Sequence, residues 1–262
     1  MPVYDIRSIS QVGTYEPFEL QVARGQIPGH SLIHVFGFNP DVDTNEETVW
    51  PIDGLLGHPA SPTIMSISSS STDDTAAGTG ARTVLIEGVN GTGGLASEII
   101  TLNGQTAVNT TKEYDAIERM TVLTVGSGGK NAGIIYAGTG VVTAGVPAVP
   151  YSAMGIGENV SLVGHWTCPT GYTGYLTDGK FTVGPTAGNQ YVIGRLKLRG
   201  TDDIVRTAGK VTLQSGTADY MFQYPIKIRA GECITATAQG SGSNATVSSY
   251  FEIVLIQEKG PL

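Results

Sequence analysis

Charge is scarce in this sequence. Among 262 residues, lysine and arginine number 15 and aspartate and glutamate 23, for a net charge of −8. Phosphate recognition needs clustered basic side chains, so this balance argues against nucleic acid as the main partner. It argues equally against an anionic membrane surface. Cysteine is scarcer still. Cys168 and Cys233 are the two, and their separation excludes a Cys-x-x-Cys metal or redox motif. They read as two buried free thiols, with a single long-range disulfide as the alternative. No apolar run approaches the ~20 residues of a membrane-spanning helix. Met1 to Ile6 has neither a basic end nor an apolar block, so no secretory signal is expected, and assembly in a cytoplasm is. A helical hydrophobic period sustained over several turns is also missing.

What the chain has is glycine and β-branched residues. Glycine numbers 36, without the period of three that would mean collagen. The glycines fall in turns between short apolar runs, which is the style of a many-stranded sandwich or barrel. The stretch Met65–Gly104 shows it best: three β-patterned runs, at 63–70, 82–89 and 97–102, alternate with polar, glycine-rich turns. Asn90-Gly91 and Asn103-Gly104 read as hairpin turns, because Asn-Gly tolerates the two left-handed positions of a type I′ turn. Phe18–Ala23 alternates apolar and polar and reads as a short strand, and 31–38 as another. Residues 109–114 read as a turn and 117–125 as a strand. Pro147 and Pro150 argue against a central strand over 138–157, which reads as a loop or a crossing. Further strands are expected at 159–165, 174–183, 191–199, 210–214, 220–228, 233–239 and 245–257.

The fold class is therefore all-β, an antiparallel sandwich or jelly-roll-like core with an extended N-terminal arm. Residues 1–50 form the arm or lead-in segment, 51–157 a β-rich first half and 158–262 a β-rich second half. That second half is either a second sandwich or completes one with the first. Exposed sheet edges with few charges to blunt them point to subunit contacts and a homo-oligomer.

No cofactor is expected, and no catalytic residue stands out, so the chain is read as a non-enzyme. Asp73 and Asp74 are weak candidates for calcium, since neighbouring carboxylates in a glycine-rich loop offer hard oxygen ligands. Short Asp and Thr side chains fixing a turn through backbone hydrogen bonds are the favoured reading. Gly78-Thr79-Gly80 lacks the Gly-Lys-Ser/Thr and the following helix of a phosphate loop. Ser127 lacks the strand-turn-helix elbow of a nucleophile. His30 and His34, on one strand face about 13 Å apart, are too distant to share a zinc ion. His165 beside Trp166 reads as packing. Trp166, Tyr172 and Tyr175 lie close in sequence and raise glycan stacking, with core or interface anchoring favoured.

Two stretches resemble virion structural proteins of tailed bacteriophages, notably phages of marine bacteria. One is Pro17-Phe-Glu-Leu-Gln-Val-Ala-Arg-Gly-Gln-Ile-Pro-Gly-His30, with Phe36-Gly-Phe-Asn39 and Trp50. The other is Ser68–Val84 followed by Glu98–Gly104. The resemblance implies a capsid decoration, or cement, protein on the virion surface, trimeric, clamping the major capsid protein. It implies that the apolar residues Phe18, Leu20, Val22, Ile27, Leu32, Val35, Phe36 and Trp50 contact a partner. A tail or fibre adhesin for host glycans and a glycan-cleaving virion enzyme are the alternatives.

Overall fold

A computed structural model describes residues 16–258. Among these residues, apart from one six-residue helix, α1 (Phe18–Ala23), the regular elements are strands, all paired antiparallel. Eight of them make a sandwich: β1 (His30–Val42), β2 (Glu47–Thr48), β10 (Tyr172–Val183), β11 (Val192–Arg199), β12 (Val205–Leu213), β13 (Gly216–Ile228), β14 (Cys233–Gly240) and β15 (Ala245–Gln257). One sheet runs β1-β15-β10-β13 and the facing sheet β12-β11-β14-β2, with the short β9 (His165–Thr167) also on β14. The first strand lies beside the last, and successive strands alternate between sheets over much of the chain. This is the double Greek key of a jelly roll.

Its core follows from the period-2 pattern. On β15, Ala245, Val247, Ser249, Phe251 and Ile253 point inward and are buried. They meet Val35, Leu176, Phe181, Leu196, Ile234 and Ala236 from the other strands. Pairing of β1 with β15 is continuous from His30↔Ile256 to Asn39↔Val247.

Between β2 and β9 the chain leaves the jelly roll and builds a third sheet. Its strands are β3 (Thr63–Ser69), β4 (Ala81–Asn90), β5 (Leu95–Thr101), β6 (Val108–Val125), β7 (Ile135–Thr143) and β8 (Val146–Met154), in the order β5-β4-β6-β3-β7-β8. It has its own core, including Met65, Ile67, Ile86, Met120, Ile135 and Met154.

The structure corrects several sequence-based expectations. Residues 51–157 do not complete the sandwich with the second half; β1 and β2 do. Both strands fall within the span 1–50 expected as an arm or lead-in, so any arm is confined to residues ahead of His30. Phe18–Ala23 is helical. Pro17 precedes it, Glu19 in the first turn complements the helix dipole, and Phe18 and Val22 are one turn apart. A six-residue alternation was too short to decide between periods. Residues 109–114 continue β6, because they pair with β3 as Thr63↔Tyr114, Ile64↔Glu113 and Ser66↔Asn109; Glu98 on β5 also accepts from the Thr111 backbone N–H and hydroxyl at 2.9 Å each. β8 contains Pro147 and Pro150 yet is a strand, since it lies at a sheet edge where missing donors do no harm. Residues 159–164 form no strand beyond an isolated bridge at Val160. Asn159 interrupts it with φ 58°.

Neither Asn-Gly pair makes a type I′ turn. The Asn90 side chain accepts from the N–H groups of Thr92 and Gly94 and from the Thr92 hydroxyl, and Gly93 takes the left-handed position. Asn103-Gly104 is not a hairpin at all, because β5 and β6 flank β4.

Candidate functional site

A cleft of about 1230 Å³ separates the outer face of β1-β15-β10 from β4, β5 and β6 of the inserted sheet. It exists because the inserted sheet leaves and rejoins the jelly roll on one side. One wall presents His34, Phe36, Asp178, Lys180 and Tyr250; the other presents Glu87, Leu95, Glu118 and Arg119. Arg119 spans it, donating from Nη2 to the His34 carbonyl at 3.1 Å.

The polar groups on the jelly-roll wall are linked. The Tyr250 hydroxyl donates to Glu252 Oε2 at 3.1 Å and meets His34 Nδ1 at 3.0 Å. Burial and then the Glu252 charge push the Tyr250 phenol up to about 12, so it stays a donor. Phe36 packs on the same ring at 4.9 Å between centroids. Opposite, Glu118 Oε1 accepts from the Thr167 N–H at 3.0 Å, while Oε2 is buried with no hydrogen-bond partner among the described residues. Burial raises this carboxyl to about 8. Near neutrality Glu118 is therefore mainly a neutral acid that can donate a hydrogen bond.

The residues singled out from sequence scatter. Asp74 is buried, and its carboxylate is fully engaged. Oδ1 accepts from the N–H groups of Ala81 and Ala132 at 2.7 and 2.8 Å. Oδ2 accepts from the Ser69 hydroxyl and the Gly133 N–H at 2.6 and 2.9 Å. Four donors surround the group, so it joins three loops, and Asp73 beside it is exposed. Gly80 is needed there: a Cβ on it would fall 2.1 Å from Asp74 Oδ1.

Among the expected partner contacts, Val22, Val35 and Trp50 are buried within this chain. Trp50 Nε1 donates to the Gly54 carbonyl at 3.0 Å. Ile27 and Leu32 are half-buried, and Phe18, Leu20 and Phe36 are exposed. Trp166 belongs to the jelly-roll core and Tyr172 packs against it, so the aromatic run does not form an exposed platform.

Sequence reasoning missed two features. One is Glu118, hidden within a strand run. The other is a group formed by half-buried His58 with buried His165 and Cys233, whose ligand atoms all lie within 4.8 Å of one another. His58 and Cys233 are 175 residues apart, so spacing carried no signal of either contact. Cys168 and Cys233 are both buried and free.

No protein-family model matches the sequence, and no curated protein matches it either. Among solved structures, a chain from the naturally occurring empty particles of cowpea mosaic virus aligns over 79% of this chain and 92% of its own. The identity is 9% and the TM-score 0.22. A chain of the infectious bursal disease virus VP2 subviral particle aligns over 97% of this chain and 78% of its own, at 11% identity and a TM-score of 0.24. Scores this low carry no argument about this chain.

Proposed function

We propose that this chain is a structural protein of a virus particle, a decoration protein that binds the outer face of a major capsid protein lattice. The observation that supports it best is the state of β13. This strand is thirteen residues long and, among the described residues, pairs only with β10, leaving its other backbone edge open. Met221 and Tyr224 on it are 88% and 83% exposed. An open, apolar edge of this length is an association hazard unless a neighbour covers it. The inserted sheet repeats the pattern, with Leu95 and Ile99 exposed on the edge strand β5 and Val146 and Val149 on the edge strand β8. A rigid jelly roll with several apolar edges suits a subunit that is held by companions. The trimer, the tailed-phage particle and the absence of catalysis rest on the sequence resemblance and are part of the same proposal.

The test is Met221→Lys with Tyr224→Lys. Both side chains are exposed, so the double variant keeps the wild-type Tm. It is expected to lose association with capsids. Undiminished capsid binding would contradict the proposal.

The cleft favours one second reading, a tail or fibre adhesin for host glycans. Its ligand would then lie against Glu118 and Tyr250, in a cleft that Trp166 also lines. Glycan-array binding lost in Tyr250→Ala supports that reading over decoration.

A further inference from the structure

The group of His58, His165 and Cys233 lies where the inserted sheet is rooted in the jelly roll. His58 is on the connector leaving β2, His165 is on β9 where the chain returns, and Cys233 opens β14 between them. We propose that these three side chains bind one divalent transition-metal ion of the zinc class, which pins both connectors of the inserted sheet to β14. The proposal stands independently of the role argued above.

The donor set is the first support. Two imidazoles and a thiolate match the softness of zinc and its neighbours and do not suit calcium or magnesium. Spacing is the second. Zinc–nitrogen and zinc–sulfur bonds in tetrahedral geometry place a nitrogen and a sulfur ligand about 3.6 Å apart. Cys233 Sγ lies 3.5 Å from His58 Nε2, and the His58 and His165 rings are 5.0 Å apart between centroids. Outer contacts are the third. His165 Nδ1 meets the Thr235 hydroxyl at 2.8 Å and Nε2 meets the Thr167 hydroxyl at 3.2 Å. One nitrogen can turn to a metal while the other keeps its threonine, the arrangement that fixes a ligand imidazole.

The protonation states fit as well. Burial lowers His58 to about 4 and holds His165 well below its ordinary value, so both are neutral with lone pairs available. Cys233 is a thiol, raised by burial to about 11. On binding, the S–H bond gives its proton to solvent as the sulfur–metal bond forms, so one proton is released per ion. The charge environment is mixed: Arg199 faces the group, and Asp203 holds that guanidinium through a hydrogen bond to Nη2 of 2.5 Å. A nucleophilic role for Cys233 does not fit, because both it and His165 are buried and the thiol is far from ionising near neutral pH.

The test uses the full 262-residue chain, stripped with a chelator and titrated with Co²⁺. The expected result is one equivalent bound, with a thiolate-to-cobalt charge-transfer band that one equivalent of Zn²⁺ abolishes. Cys168→Ser keeps the band and Cys233→Ser loses it. Thr235→Val weakens cobalt binding about tenfold or more through His165. Should Cys233→Ser fail to fold, His58→Ala decides, because His58 lies on a connector outside the sheets; it is expected to weaken binding at least a hundredfold. A wild-type chain without the band, a band that follows Cys168, or full affinity in His58→Ala overturns the proposal.

Discussion

Asp74, buried in the loop between β3 and β4, accepts four hydrogen bonds, three of them from backbone N–H groups. Removing the carboxylate leaves those donors buried and unmet, at about 1–3 kcal/mol each. Asp74→Ala is therefore expected to destabilise the chain by at least about 3 kcal/mol in denaturant unfolding. A chelator is expected to leave this loop unaffected, since every lone-pair direction is already used. Glu118 gives a pH prediction. Its folded carboxyl titrates near 8 against an ordinary value of 4.5, so the folded state holds the proton more tightly. That contribution to stability is complete below about pH 4.5 and is lost as pH rises through 8. The Tm of the wild type is expected to fall between about pH 5 and about pH 9 more steeply than that of Glu118→Gln. Identical pH profiles for the two proteins would show that Glu118 does not titrate in this range.

At the scale of elements, hairpins show which signals a sequence transmits. The β7–β8 turn is a two-residue loop, Ala144-Gly145, with φ 48° and 81°, closed by the pair Thr143↔Val146. This is the dihedral pattern of a type I′ turn, and the residues are not Asn-Gly. Asn90-Gly91 has the favoured residues without the turn, because the Asn90 side chain organises a wider loop. Turn chemistry thus told where the chain bends but not how. Ala144 in the left-handed region is strained, so Ala144→Gly is expected to raise stability by up to about 1 kcal/mol. Gly145→Ala is expected to do the reverse and by more, since its Cβ would fall 1.8 Å from the Ser69 carbonyl oxygen. Strand existence was more legible than turn type. The run 245–257 is β15 from end to end, because one face alternates into a core and its pattern is long enough to read. The β8 prolines misled because edge or centre is a property of the sheet, and the run itself does not encode it.

For the whole molecule, the alternating pattern announced an all-β chain, but the pairing that makes it a jelly roll joins segments about two hundred residues apart, as β1 with β15. Local sequence does not show such pairing, and for the same reason it gave no sign of the cleft or of the His58–His165–Cys233 group. The pairing also changes what a truncation means. Deleting residues 1–29 is expected to leave a cooperatively folding protein. Deleting 1–50 also removes β1 and β2 together with Val35, Val42 and Val49 from the core, and is expected to abolish folding. Circular dichroism melts of the two truncations separate these outcomes.

Open apolar edges around a rigid jelly roll are the physical basis for a chain that takes a place on a shell. The most direct measurement is its copy number and position in purified virus particles, by quantitative mass spectrometry and a density map of the capsid. The account predicts hundreds of copies on the outer capsid surface, with β13 covered by a neighbouring subunit. Absence from the particle, or a few copies confined to the tail with β13 facing solvent, would contradict it.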